Sequence, residues 1–106
     1  MTFPPASEPD REASAFLVER YLPPAAARDL AASVARLVRL CAEPGTSGLG
    51  VEYLHSAFLP GEDTCFCLFR AASADAVREV NRQADFALDR VTDALLLFPT
   101  TEGHDR

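Results

Sequence analysis

Tyr53-Leu54-His55-Ser56-Ala57-Phe58-Leu59-Pro60-Gly61-Glu62-Asp63-Thr64-Cys65-Phe66-Cys67-Leu68-Phe69 decides the fold. Two runs rich in aromatic and aliphatic residues flank Pro60-Gly61-Glu62-Asp63, where Pro presets φ and Gly tolerates positive φ, so the stretch predicts a β-hairpin. The same hairpin holds His55 and two of the three cysteines, Cys65 and Cys67, which makes it the first place to look for chemistry.

Upstream, Ala15 to Leu22 has an apolar centre and predicts a strand closed by Pro23 and Pro24. Pro24 suits the first turn of a helix, where its missing N–H has no cost. From Ala25 to Ala42, Leu30, Val34, Leu37, Val38 and Cys41 recur at helical spacing on one face, with Pro44 and Gly45 as the stop. The hairpin strands are expected over Leu49 to Leu59 and Thr64 to Ala71. Downstream, Ser73 is a plausible N-cap and Asp75 sits where the helix dipole favours negative charge. That helix buries Val77, Val80 and Ala84, and Phe86-Ala87-Leu88 leads into a last strand from Arg90 to Phe98.

The order β-α-β-β-α-β is the split βαβ pattern, and it predicts an α+β, ferredoxin-like domain: a four-stranded antiparallel sheet with both helices on one face. Its expected limits are 15–98, between flexible tails at 1–14 and 99–106. The sheet face without helices carries Tyr, Phe, Leu and Ala, which favours a homodimer packed sheet to sheet, of the dimeric α+β barrel type, with a ligand cleft between the sheets.

Composition narrows the function. A chain of 106 residues with 48% hydrophobic and 25% charged residues is an ordinary globular domain. The net charge of −6, with basic residues scattered among acids, argues against nucleic acid as a partner. No apolar run nears the ~20 residues of a membrane span, and the first residues lack the features of a signal peptide, so the expected location is cytoplasmic, away from membranes. The three cysteines are then expected to be reduced. Cys65 and Cys67, two apart on a strand, have Cα atoms roughly 6.6 Å apart and parallel side chains, which does not suit a disulfide without bending the strand.

Phe16 to Pro23, Tyr53 to Phe58, Asp63 to Phe69, Val77 to Arg82 and Phe86 to Val91 together resemble a family of small bacterial proteins of largely unknown function that includes an actinobacterial nickel-binding protein. The resemblance spans roughly residues 15 to 97. It implies a fold like the dimeric α+β barrels and nickel binding as an activity. Many members of that family carry a His in the second helix, where this chain has Asn81.

The candidate metal ligands are His55, Glu19, Tyr53, Cys65 and Cys67. Imidazole suits nickel, copper, zinc and iron, and also serves as a general base near neutrality; a lone strand His is otherwise a packed or hydrogen-bonded residue. Alternation places Val51, Tyr53, His55 and Ala57 on one face. The four-residue turn places Cys65 and Cys67 with Phe58, Ser56 and Leu54 on the other, unless a bulge intervenes. Glu19, a carboxylate within a sheet, needs a cation, a metal or a donor, and Arg20 or Arg70 offers an ion pair instead. Tyr21 and Tyr53 offer hydroxyls or plain aromatic packing. Asp89 and Arg90 are expected to form an ion pair at a turn. His104, with Glu102 and Asp105, is expected in an acidic tail.

The leading reading is a small dimeric metal-binding protein of the nickel type, its site in or near the cleft between sheets. Two alternatives stand beside it. One is a cofactor-free enzyme of monooxygenase or isomerase type acting on a small apolar molecule, with His55 moving a proton. The other is a structural or regulatory dimer without ligand. No Ser-His-Asp arrangement or phosphate-cradling Gly loop is present.

Overall fold

In the computed structural model, residues 14–43 and 50–97 are described; the expected tails lie outside them except for Ser14, which begins the first strand, and the expected helix stop at Pro44 and Gly45 also lies outside. The elements in order are β1 (Ser14–Tyr21), α1 (Pro24–Ala27), α2 (Leu30–Ala42), β2 (Glu52–Leu59), a 3-10 turn (Pro60–Glu62), β3 (Thr64–Ala71), α3 (Ala74–Gln83) and β4 (Arg90–Ala94). The sheet is antiparallel with strand order β2-β3-β1-β4, the ferredoxin-like arrangement expected from the element pattern. α2 and α3 cover one face.

Strand alternation selects that face. Phe16, Val18 and Arg20 of β1 point inward with Cys65, Cys67 and Phe69 of β3, and they meet Leu37 of α2 and Val77 and Val80 of α3 in one core. Leu17, Glu19 and Tyr21 point the other way, as do Phe66 and Leu68.

The hairpin turn differs in one detail from the expected chemistry. Positive φ falls at Asp63 (φ 53°), with its N–H bonded to Pro60 O at 3.3 Å, whereas Gly61 stays outside the left-handed region. Asp tolerates this conformation better than most residues. The Asp63 carbonyl is then free to accept the Leu22 N–H at 2.7 Å, tying the turn to the end of β1.

The first helix is broken where one continuous helix was expected. α1 stops at Ala27 and α2 starts at Leu30, with Asp29 between them at φ −97°, ψ 13°. Within α2, Leu37 is buried and Leu30, Val34 and Cys41 pack against the core, but Val38 lies 39% exposed.

α3 begins as expected: Ser73 Oγ accepts the Ala76 N–H at 3.1 Å. It ends in a left-handed residue, Asp85 (φ 56°), with Phe86 N–H bonded back to Asn81 O at 3.0 Å, the six-to-one bond of a Schellman closure. That reversal turns Phe86 into the core. β4 stops at Ala94, short of the expected Phe98, because Ala15 already pairs with Ala94 and only Ser14 of the described β1 lies beyond it.

Candidate functional site

β2 carries a register shift against β3. Tyr53 pairs with Phe69 and His55 with Leu68, so one β3 step spans two β2 residues, a bulge at Leu54. Its effect is to reverse the facing of Tyr53. The alternation that grouped Tyr53 with His55 is broken: Tyr53 turns to the helix-covered side beside Ser56 and Phe58, its ring edge-on to Phe69 at 5.8 Å between centroids, while His55 and Ala57 face the open side. Ser56 and Phe58 do share a face with the cysteines, as the turn length implied, but Tyr53 takes the place expected for Leu54.

The five candidate ligands are thereby divided between the two faces. His55 is exposed on the open face of the edge strand β2. Glu19 lies on the same face of β1, two strands over and two residues along, because His55 is level with Leu68 and Leu17 while Glu19 is level with Phe66 and Ala57. Strand spacing puts their Cα atoms about 12 Å apart. Glu19 already has a cation: Arg90 Nη2 lies 3.1 Å from its Oε1, so the ion pair comes from the neighbouring strand rather than from Arg20 or Arg70. Asp89, in turn, does not pair with Arg90; its Oδ2 accepts the Tyr21 N–H at 2.6 Å and holds the entry to β4 against the end of β1.

Cys65, Cys67 and Tyr53 belong to the covered face, where the structure builds a polar chain through an otherwise apolar core. Its centre is Arg20, fully buried. Nη2 donates to Asn81 Oδ1 at 2.9 Å and to Cys67 Sγ at 3.3 Å, and Nη1 donates to the carbonyls of Phe86 (3.2 Å) and Ala87 (3.3 Å). The guanidinium lies over the Phe86 ring, 3.5 Å from the centroid, so the helix closure that tucks Phe86 inward also supplies the cation–π partner. Nε has no partner. From Cys67 the chain continues to Ser56 Oγ, 2.9 Å from the sulfur, and on to Tyr53 OH at 2.8 Å. Cys65 Sγ lies 3.9 Å from Cys67 Sγ.

Burial dominates the titration of these groups. It pushes the Cys65 thiol up to about 11, with the neighbouring Cys67 acting in the same direction. Cys41, half-buried on α2, is raised by burial to about 11. The Tyr53 phenol is raised by burial, partly opposed by its bond to Ser56.

A fixed guanidinium against Cys67 is a poor neighbour for a metal cation, which places the thiols in a different chemical setting from His55 and Glu19. Among the described residues no three His, Cys, Asp or Glu side chains gather where they can hold one ion. A single chain therefore presents His55 and Glu19 as separated donors. Two surface hollows of about 340 and 360 Å³, one beside Phe86 and Leu88 and the other beside Val51 and Tyr53, both lie away from His55.

Sequence reasoning considered Arg20 only as an ion-pair partner of Glu19 and Asn81 only against a His of its relatives, and missed the buried network the two form. Alternation puts Arg20 on the Phe16 and Val18 face of β1 without saying that the helices will cover that face, whereas Asn81 carried a signal, four residues after Val77 on the buried face of α3.

A family model described as "Nickel responsive protein SCO4226-like" matches residues 16–93, which takes in the helices, β2 and β3 whole and all but the outermost residues of β1 and β4. The chain belongs to the SCO4226-like family. In the solved structures it is similar to SCO4226 from Streptomyces coelicolor A3(2), at 17% identity and a TM-score of 0.61, with 80% of this chain and 100% of that one covered; at this identity the likeness shows the fold. Comparison with curated proteins gives no match. Membership of the SCO4226-like family connects the chain with nickel at the level of the family description, and the ferredoxin-like fold agrees with its solved neighbour. No helix among the described residues is long and apolar enough to cross a membrane.

Proposed function

We propose that this protein binds a divalent first-row transition metal of the nickel type, through His55 with Glu19 as second donor, at a cleft between the open sheet faces of two copies. The observation that carries the reading is the exposed His55 on a sheet face that no helix covers. Nickel takes several N and O donors, and imidazole with carboxylate suits it. One chain separates these donors, so a second copy and water complete the set.

Two features support the dimer. The open face presents Leu17, Phe66 and Leu68, half-buried in a single chain, and Tyr21 at 62% exposure. Leu95 and Leu97 run on from β4 at 79% and 82% exposure. Apolar surface of this kind is covered in stable proteins. A second copy offers the same surface in return. The family description points in the same direction for the metal.

The test is calorimetric titration of tag-free protein with nickel, zinc and copper, alongside light scattering with and without nickel. The expected result is nickel binding that His55→Ala weakens at least tenfold, in a species with the mass of two chains. Equal nickel affinity in the variant, or a monomer at every nickel concentration, overturns the proposal. The enzyme reading has less support, since neither hollow meets His55.

A further inference from the structure

Arg20 is a permanent positive charge, fully buried, and among the described residues no carboxylate reaches it. A buried charge without a counter-charge is costly, several kcal/mol even after relaxation. The other side-chain groups at its hydrogen-bonding atoms are the Asn81 amide, which is neutral, and the Cys67 sulfur. Cys67 Sγ also stands 2.9 Å from the Ser56 hydroxyl, so two donors converge on one sulfur. A neutral thiol is a weak acceptor, whereas a thiolate takes both bonds and neutralises the guanidinium.

We propose that Cys67 is the thiolate counter-ion of Arg20 and the residue at which a hydroperoxide oxidises this protein, to a sulfenic acid held by Arg20 and Ser56. The sulfur attacks one peroxide oxygen. The S–O bond forms as the O–O bond breaks, sulfur gives up two electrons, and the departing hydroxide or alkoxide takes a proton to leave as water or alcohol. The Ser56–Tyr53 hydroxyl pair hands over that proton and is recharged from solvent. The product oxygen lies where Arg20 and Ser56 donate.

Access comes through β2. Cys67 is fully buried, so its oxidation requires β2 to move outward; among the described residues β2 is an edge strand paired to β3 alone and interrupted by the Leu54 bulge, so it can open without unfolding the rest of the sheet. Tyr53, at the end of the chain of hydroxyls, lines the open hollow of about 360 Å³ between α2 and β2. Cys65 does not resolve the sulfenic acid into a disulfide. Its sulfur is 3.9 Å away on the same flat strand, and closing to a bond of about 2.05 Å requires bending β3 in the middle of the sheet. Of the other two cysteines, Cys65 also meets Arg20 but Ser56 donates to Cys67 instead, and burial raises both thiols to about 11, which keeps them protonated at neutral pH.

The experiment treats the full chain with stoichiometric hydrogen peroxide, traps sulfenic acid with dimedone, and assigns the adduct by peptide mass spectrometry. The adduct is expected on Cys67 in wild type and in Cys41→Ser, and to persist in Cys65→Ser. Ser56→Ala, which removes one donor and leaves the core charge in place, is expected to slow labelling about tenfold. Ultraviolet thiolate absorption is expected to vanish in Cys67→Ser and to survive in Cys65→Ser. An adduct on Cys41 or Cys65 only, a disulfide between Cys65 and Cys67, no oxidation, or a thiolate signal unchanged by Cys67→Ser overturns the proposal.

Discussion

Replacing Arg20 with Met keeps most of the apolar volume between the sheet and α3 while removing the guanidinium. Four hydrogen bonds of 2.9 to 3.3 Å disappear, together with the stacking on Phe86. The carbonyl of Phe86 and the amide oxygen of Asn81 are left without this donor in a buried setting. Each stranded acceptor costs about 1–3 kcal/mol. Against this stands relief from burying a charge whose Nε has no partner. The loss expected for deleting one member of a buried charged network, about 3–5 kcal/mol, is therefore the right scale. For a domain whose whole stability is about 5–15 kcal/mol this is a large fraction. It corresponds to a fall in Tm of about 20 °C. Urea unfolding followed by circular dichroism measures it, with an unchanged denaturant slope as the check on two-state behaviour. Asn81→Leu, made alone and together with Arg20→Met, completes a cycle in which the double variant loses less than the sum of the singles, by about 0.5–3 kcal/mol. A loss below about 1 kcal/mol for Arg20→Met, or strict additivity with Asn81→Leu, refutes the view that this network organises the core.

Two further outcomes follow from local geometry. Ser73→Ala removes the acceptor for the Ala76 N–H and is expected to lower stability by about 1 kcal/mol, read from the same denaturation curves. Glu79 is held down to about 2 by hydrogen bonds from Arg82 first and Gln83 second. Its folded value is depressed, so its contribution is complete above the ordinary value of 4.5 and is lost as the pH falls through about 2; carboxyl NMR titration is expected to show this, with Arg82→Ala returning the group toward 4.5.

Much of the fold was readable because it is locally encoded. Alternation over two strands around Pro60 to Asp63, helical spacing of Val77, Val80 and Ala84, and a Ser at the N-cap act over a few residues, and β3 and the helix after Ser73 formed close to their expected limits. The candidate site was readable only in part. Glu19 drew attention as the charge in need of a partner, yet its side of β1 is the open one and Arg90 meets it there. Arg20, one residue on, was the charge that folding buried.

The sequence by itself determined the order of strands and helices and the helix cap, because period-2 and period-3.6 patterns depend on neighbours along the chain. Tertiary structure alone decided which charge of Glu19 and Arg20 goes inside, since alternation separates them without saying which side α2 and α3 will cover. It also decided the Leu54 bulge, a mismatch in pairing between two strands that neither strand carries alone. That single extra residue takes Tyr53 from the face of His55 and joins it to Ser56, Cys67 and Arg20.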